Sequence, residues 1–217
     1  MTHRLALLLS LLIGCVAPLT STARTSTQPD TLFGYRGTEE TGVRVFHQWI
    51  RVLERHIRDD VPEGDCSERR LNTCHLRHWY AFLRSIRKLP KLEQIRRVNT
   101  FANNVKYVLD IDNYGVPDYW ADAREFLYNG GDCEDYAITK LFSLRWLGFP
   151  PDSVRLVVLQ DTNLRVAHAV LAVYLHGKTY ILDNQTQQVV TDTQIVHYVP
   201  VYAINENHWW LYTPPPS

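Results

Sequence analysis

The chain has 217 residues, with 23 basic and 23 acidic side chains, so its formal net charge is zero. This balance gives no reason to expect a nucleic acid as a partner. The length suits one domain with a small extension, and a hydrophobic content of 45% is enough for a core.

The N-terminus has the pattern of an export signal. A short basic start at residues 3–4 precedes an apolar run over residues 5–19, which is too short for a comfortable membrane span. Small residues end at Ala23, so we predict a signal peptide over residues 1–23 and cleavage after it. A second interpretation stays open, because the run up to Cys15 resembles a lipoprotein signal in which that cysteine carries the lipid.

The segment after the signal, residues 24–42, is rich in Thr, Ser, Gly and charged residues, which predicts a flexible lead-in. A domain is predicted over residues 43–213, followed by a short proline-rich tail at 214–217. The first part of this domain carries apolar residues at helical spacing. Helices are predicted over residues 43–58, 75–88 and 91–108.

Two cysteines, Cys66 and Cys74, lie in the polar stretch between the first two predicted helices. In an oxidising compartment such a pair forms a local disulfide, and two free thiols are the alternative. With the disulfide, Cys133 has no cysteine partner. An unpaired thiol in an exported protein needs a reason.

The second part of the domain changes from helical to alternating periodicity. An oxygen-rich loop is predicted over residues 110–118, a short helix over 120–128, and an apolar helix that begins near Cys133 and ends before Gly148. Strands are predicted over residues 154–160, 166–175, 178–182, 187–190, 199–205 and 209–212. Helices followed by strands with hairpin-length turns predict an α+β fold with an antiparallel sheet.

The stretch over residues 130–137 combines two glycines with a cysteine among acids. Asp132 suits the N-cap position, so Cys133 lies at a helix N-terminus, where unpaired N–H groups and the helix dipole favour a thiolate. Like-charge repulsion from Asp132, Glu134 and Asp135 disfavours that thiolate. A nearby imidazolium or a bound cation is therefore needed to offset the acids.

A histidine and an aspartate follow at positions that can complete a catalytic site. Strand alternation puts His168, Val170 and Ala172 on one face, and if the cysteine helix packs on that face, the imidazole meets Cys133. Asp183 ends the neighbouring predicted strand, where a hairpin brings its carboxylate beside His168 and fixes the imidazole tautomer. Each residue also has a plain structural interpretation, as a packed cysteine, a core histidine and a turn aspartate.

Oxygen donors gather around the predicted nucleophile. Asp132 and Glu134 flank the cysteine and can present oxygens to a common point, and the preceding loop adds Asp112, Asn113 and Asp118. Hard oxygen ligands suit calcium and not a thiol-loving metal. The alternative is that these acids only cap the helix and interact with its dipole.

The motif residues resemble a known family. Gly-Asp-Cys-Glu-Asp-Tyr-Ala at 131–137, His168 in its strand and Leu-Asp-Asn at 182–184 resemble the bacterial transglutaminase-like cysteine proteases, and most closely the LapG-type periplasmic group. The resemblance covers residues 43–212. It implies a papain/transglutaminase-like fold, in which N-terminal helices and a nucleophile-bearing helix pack on an antiparallel β-sheet.

The resemblance also implies a site. The catalytic triad is Cys133, His168 and Asp183, and calcium is bound through Asp132 and Glu134. At a helix start the backbone N–H of Cys133 is a natural oxyanion donor, and we expect Trp120 to supply a side-chain donor.

The activity implied is that of a calcium-dependent cysteine endopeptidase that cuts a large surface adhesin near its N-terminus and so controls biofilm attachment. The implied inhibitor is an inner-membrane receptor that senses cyclic-di-GMP. The implied location is the periplasm, in soluble form after signal cleavage, whereas lipid attachment through Cys15 would restrict diffusion. A transglutaminase or cell-wall amidase with the same triad, and a non-enzymatic calcium-binding module, are the alternatives.

Overall fold

A computed structural model describes residues 31–58 and 60–215 of the chain. Within these residues the chain forms six α-helices and eight β-strands. The helices are α1 (His47–Ile57), α2 (Thr73–Ile86), α3 (Lys91–Asn103), α4 (Asp110–Asn113), α5 (Ala123–Asn129) and α6 (Cys133–Trp146). The strands are β1 (Thr31–Leu32), β2 (Tyr35–Thr41), β3 (Val154–Asp161), β4 (Val166–Leu175), β5 (Lys178–Leu182), β6 (Val190–Thr191), β7 (Tyr198–Ile204) and β8 (His208–Thr213).

The strands form one curled antiparallel sheet in the order β1-β2-β8-β7-β3-β4-β5-β6. The pairs β3–β4 and β4–β5 are hairpins, and β7 joins the other edge of β3. In sequence, all six helices lie between β2 and β3. The predicted α+β class is confirmed, and the predicted order of helices before strands holds for β3 to β8 but not for β1 and β2.

Helix α6 occupies the centre of the molecule. Its residues from Glu134 to Leu144 are all buried, polar side chains included, as expected for a helix enclosed by other elements on every side. On one side Ile138 and Leu141 share the main core with Leu171 and Val173 of β4. Helices α3 and α5 contact α6 on its other sides.

A second core lies on the opposite face of the sheet. It is formed by alternate residues of the same strands, which point away from α6. Its members include Val170, Ala172, Ile181, Tyr198 and Trp210. The sheet is therefore covered by side chains on both faces, with α6 on only one of them.

Residues 31–41 were predicted to belong to a flexible lead-in, but they form strands β1 and β2. Strand β2 pairs with β8 from Arg36 opposite Thr213 to Thr41 opposite His208. The Thr-rich composition that indicated flexibility also suits an exposed edge strand, and the edge of β8 offers it unpaired backbone groups. The predicted signal peptide, with Cys15, lies outside the described residues.

Several other predicted boundaries are wrong. The first helix begins at His47 and not at residue 43, and residues 110–113 of the predicted loop form α4. The third helix ends at Asn103 and not at residue 108, because the backbone at Lys106 and Val108 bonds to Gly131. The strand predicted over residues 187–190 contributes only its last residue to β6. The carbonyls of Thr186 and Gln187 instead accept hydrogen bonds from the Asn99 side chain.

The predicted disulfide is confirmed. Cys66 and Cys74 are bonded, with their Cα atoms 5.2 Å apart. The bridge ties the polar loop to the first turn of α2. Asn72 caps the same turn, since its side chain accepts a hydrogen bond of 3.0 Å from the backbone of Cys74. Within the described residues, no helix is long and apolar enough to cross a membrane.

Candidate active site

The backbone before Cys133 is held in place by the segment that follows α3. Val108 N–H donates to the Gly131 carbonyl at 3.0 Å, and Gly131 N–H donates to the Lys106 carbonyl at 3.4 Å. Gly130 has a φ of 80°, and a Cβ added there would lie 2.5 Å from the Lys106 oxygen. Glycine is needed because no larger residue fits this close approach.

Helix α6 begins at Cys133, with Asp132 as its N-cap residue, as predicted. Asp135 stabilises this start from inside the helix. Its Oδ2 accepts from Asp132 N–H at 3.3 Å, and its Oδ1 accepts from Ala121 N–H at 2.7 Å. The thiol is thereby fixed at the N-terminal end of the central helix.

The thiol of Cys133 is half-buried, and it is the only unbridged cysteine among residues 31–58 and 60–215. Its Sγ lies 3.4 Å from Glu134 Oε2. Burial raises the pKa of the thiol, and the charges of Glu134 and Asp132 raise it further, whereas a hydrogen bond from the Ala169 backbone lowers it. Without a compensating positive charge, the cysteine is held as a neutral thiol.

His168 and Asp183 form a buried pair. His168 Nε2 lies 3.0 Å from Asp183 Oδ1, which also accepts from Gln185 N–H at 2.9 Å. The second oxygen, Oδ2, accepts from the Tyr198 hydroxyl at 2.6 Å. Burial alone would raise the pKa of Asp183, but these hydrogen bonds and the charge of His168 lower it overall. The carboxylate is therefore ionised and oriented toward the imidazole.

Helix α6 does not pack on the face of β4 that carries His168, which differs from the expectation. Helix α6 packs against the face of β4 that carries Leu171 and Val173, whereas His168 alternates with the residues of the other core. The thiol contacts β4 through the backbone of Ala169, the residue next to His168. Strand β5 pairs with β4 only as far as Leu182 opposite Leu171, so this backbone is open on that side.

Four carboxylates meet beside the thiol. Single oxygens of Asp110, Asp132, Glu134 and Asp135 lie within 4.8 Å of one another. Burial, followed by the charge of neighbouring acids, raises the pKa of Asp110 to about 6 and that of Asp135 to about 9. Burial and a hydrogen bond with Asp132 raise the pKa of Glu134. Such a cluster is unfavourable unless protons or a cation neutralise it.

The donor set fits a hard cation such as calcium. The Oδ1 atoms of Asp110 and Asp132 are buried and have no hydrogen-bond partner among the described residues. Carboxylate oxygens at this density are what calcium prefers. Asp132 and Glu134, the predicted ligands, lie in this cluster, and Asp110 and Asp135, which lie there too, were not among the predicted ligands. Asp110 opens the oxygen-rich loop and Asp135 lies one turn after Asp132, which are the signals that could have found them.

The other predicted ligands lie outside this group of carboxylates. Asp112 is exposed, and Asp118, also exposed, accepts a hydrogen bond of 2.5 Å from Gln48. The side chain of Asn113 donates to the Gly130 carbonyl at 3.2 Å. Their role as calcium ligands stays a prediction.

Trp120, the predicted side-chain oxyanion donor, is buried in the main core. Its backbone is held on both sides, because its N–H donates to Gln48 Oε1 at 3.3 Å and its carbonyl accepts from the Arg55 guanidinium. The indole is thus rigidly placed ahead of α5, and its part in catalysis stays a prediction.

Comparison with known protein families gives one match. Residues 64–213 match the family described as bacterial transglutaminase-like cysteine proteinase BTLCP. The chain belongs to this family. The family membership places the chain among cysteine proteases and confirms the resemblance seen in its motifs. No curated protein matches the chain at a significant level.

Solved structures of Legionella pneumophila LapG are similar to this member of the family. One is 29% identical, with a TM-score of 0.59, and the match covers 77% of this chain and 87% of that one. Its calcium-bound form has a TM-score of 0.60 at the same identity and coverage. An EGTA-treated form has a TM-score of 0.59 and is covered over 84% of its length. The transglutaminase-like fold is confirmed.

Proposed function

We propose that this protein is a calcium-dependent cysteine endopeptidase with Cys133 as nucleophile, His168 as general base and Asp183 as the acid that orients the base. One observation carries the proposal. A buried His168–Asp183 pair lies next to Ala169, whose backbone is near enough to Cys133 to lower the pKa of its thiol. Family membership supports the same chemistry.

The contact between His168 and Asp183 supports a separate role for each nitrogen of the imidazole. Asp183 accepts from Nε2–H of His168, which leaves Nδ1 to take the proton from the thiol. The sulfur of Cys133 then attacks the scissile carbonyl and forms an acyl-enzyme. His168 returns its proton to the leaving amine, and the imidazole next activates the water that releases the acid.

The developing oxyanion is stabilised by N–H groups at the start of α6. Cys133 is the first residue of that helix, where backbone N–H groups have no partner within the helix. We assign the second donor to the indole of Trp120, which the hydrogen bonds of its backbone hold in place.

Asp110, Asp132, Glu134 and Asp135 would hold the calcium ion. When bound there, calcium supplies the positive charge that the four carboxylates lack and favours ionisation of the neighbouring thiol. The residues themselves keep the site rigid, since Asp135 is anchored by backbone N–H groups and Asp110 Oδ2 accepts from Tyr119 N–H at 2.6 Å.

The substrate we propose is a large surface adhesin, cut near its N-terminus in the periplasm. Its cleavage releases cells from a biofilm. An inner-membrane receptor that senses cyclic-di-GMP is the proposed inhibitor. The motif resemblance and the similarity to LapG support these assignments.

The test is incubation of the purified protein with N-terminal regions of candidate adhesins, with calcium or with EGTA. We expect cleavage by the wild type in calcium, a large loss in EGTA, and none by Cys133→Ala or His168→Ala. His176→Ala is the matched histidine control, because that side chain is exposed in the turn between β4 and β5.

Product analysis distinguishes a protease from an amidase or a transglutaminase that uses the same triad. New peptide termini support a protease, whereas released ammonia or cross-linked products point to an amidase or a transglutaminase. Cleavage by Cys133→Ala would disprove the assignment of the nucleophile.

A further inference from the structure

A third side chain contacts the His168–Asp183 pair. The hydroxyl of Tyr198 donates a hydrogen bond of 2.6 Å to Asp183 Oδ2. The ring of the same tyrosine packs at 60° against the His168 ring, with centroids 5.8 Å apart. Tyr198 is buried, so water does not compete for these contacts.

This contact spans three strand spacings of the sheet. Tyr198 begins β7, while Asp183 directly follows β5, and β3 and β4 lie between those two strands. Neighbouring strands are about 4.8 Å apart, so a flat sheet would separate β7 from β5 by about 14 Å, beyond the length of a tyrosine side chain. The curl of the sheet brings them together, and the hydrogen bond closes that curl at one end.

The contact also completes the hydrogen bonding of the carboxylate. Asp183 Oδ1 accepts from His168 and from Gln185 N–H, and Oδ2 accepts from Tyr198. Three donors that converge on one carboxylate favour its ionised form, because a protonated carboxyl would lose acceptor capacity. The lowered pKa of Asp183 agrees with this arrangement.

We propose that Tyr198 is a positioning residue of the active site, which holds Asp183 ionised and aimed at Nε2 of His168. The proposal rests on the proposed function for its catalytic consequence. Its structural content is independent of the substrate. Through Asp183, Tyr198 keeps the proton of the neutral imidazole on Nε2 and leaves Nδ1 unprotonated, as a general base requires.

The packing around Tyr198 makes a clean test feasible. Its ring meets Phe33 edge-on at 5.6 Å, so Tyr198→Phe keeps the ring contacts and removes only the hydroxyl. Other charged groups also face the pair. Lys140 of α6 acts on Asp183, and Asp161 of β3 acts on Tyr198.

The first experiment compares the kinetics of Tyr198→Phe with those of Tyr180→Phe, a half-buried tyrosine of β5 that does not contact the pair. We expect kcat/KM to fall roughly tenfold for Tyr198→Phe, mainly in kcat, and the acidic limb of its pH profile to move to higher pH. Tyr180→Phe should behave as the wild type. In the Asp183→Asn background, removal of the Tyr198 hydroxyl should have no further effect.

The second experiment needs no substrate. Nitrogen-15 NMR of the His168 imidazole at a pH where the ring is neutral should show the Nε2–H tautomer in the wild type and in Tyr180→Phe, and a tautomer mixture in Tyr198→Phe. If no substrate is ever cleaved, the proposed function fails, but this NMR result still supports the positioning role of Tyr198. An unchanged tautomer together with unchanged kinetics in Tyr198→Phe overturns the inference.

Discussion

The side-chain amide of Asn103 donates a hydrogen bond of 2.8 Å to the backbone carbonyl of Asp183. The same amide donates to the Thr186 carbonyl at 2.9 Å. Asn103 is the last residue of α3, so this helix is hydrogen-bonded to the loop after β5, which carries the acid of the proposed triad. The orientation of His168 thus depends on both layers of the fold.

Replacement of Asn103 should loosen this loop. We expect Asn103→Ala to lower kcat/KM about threefold to tenfold, because each lost hydrogen bond contributes roughly 1 kcal/mol. Hydrogen exchange of residues 183–187 should become faster. Thr100→Ala, at an exposed position of the same helix, is the control. Equal exchange rates in both variants would contradict the prediction.

Removal of calcium should destabilise the protein more strongly at higher pH. The pKa is raised to about 6 for Asp110 and to about 9 for Asp135, against ordinary values of 3.8. Protonation of these groups therefore stabilises the calcium-free fold fully below about pH 4, and this stabilisation is lost as the pH rises toward 9. Thermal melts in EGTA should show a falling Tm over that range.

With calcium bound, the same carboxylates are neutralised by the ion, so the difference in Tm between calcium and EGTA should widen with pH. Glu63→Gln, at an exposed position away from the cluster, should leave this difference unchanged. A difference that stays constant from pH 5 to pH 8.5 would argue against the site.

Replacement of Lys140 by an apolar residue should stabilise the fold. This lysine of α6 is fully buried, its Nζ has no hydrogen-bond partner among the described residues, and burial lowers its pKa to about 7 despite the charge of Asp183. We expect Lys140→Met to raise the free energy of unfolding by about 1–3 kcal/mol below pH 7. Urea unfolding measures this change.

The gain from Lys140→Met should shrink as the pH rises from 7 toward 10. In that range the unfolded state of the wild type binds the proton that the folded state has released, so the wild type gains stability. Leu141→Met, at the next position, controls for repacking of the core. A gain that is independent of pH from 7 to 10 would mean that the folded protein keeps this lysine protonated over the whole range, as it would in an ion pair.

The disulfide should account for a measurable share of stability. It closes a loop with a sequence separation of 8, for which loop-closure entropy corresponds to about 2.5 kcal/mol. The pair Cys66→Ser and Cys74→Ser, made in the Cys133→Ala background to prevent thiol exchange, should lower the Tm. Reductant should lower the Tm of the Cys133→Ala parent to the same value and leave the triple variant unaffected.

Features written into one short segment were predictable from the sequence. The position of Cys133 at a helix start follows from glycines, an N-cap acid and an apolar run in eight residues. The pairing of His168 with Asp183 follows from a hairpin with a tight turn at His176 and Gly177, because adjacent strands bring their ends together.

Features that depend on distant parts of the chain were not predictable. Alternation separates His168 from Leu171, but both sets of alternate residues in β4 are apolar, so the pattern cannot tell which face meets α6. Tyr198 reaches Asp183 only because the sheet curls across two intervening strands. The burial of Lys140 was also not predictable, because the sequence pattern of its helix does not separate an exposed polar face from a buried one.

The enclosure of α6 has a consequence for control of the enzyme. A helix surrounded by close-packed neighbours cannot slide or rotate without disrupting the main core, so movement of α6 cannot shift the position of the Cys133 sulfur. A regulator is therefore expected to work from outside, by covering or exposing the entrance to the proposed catalytic site.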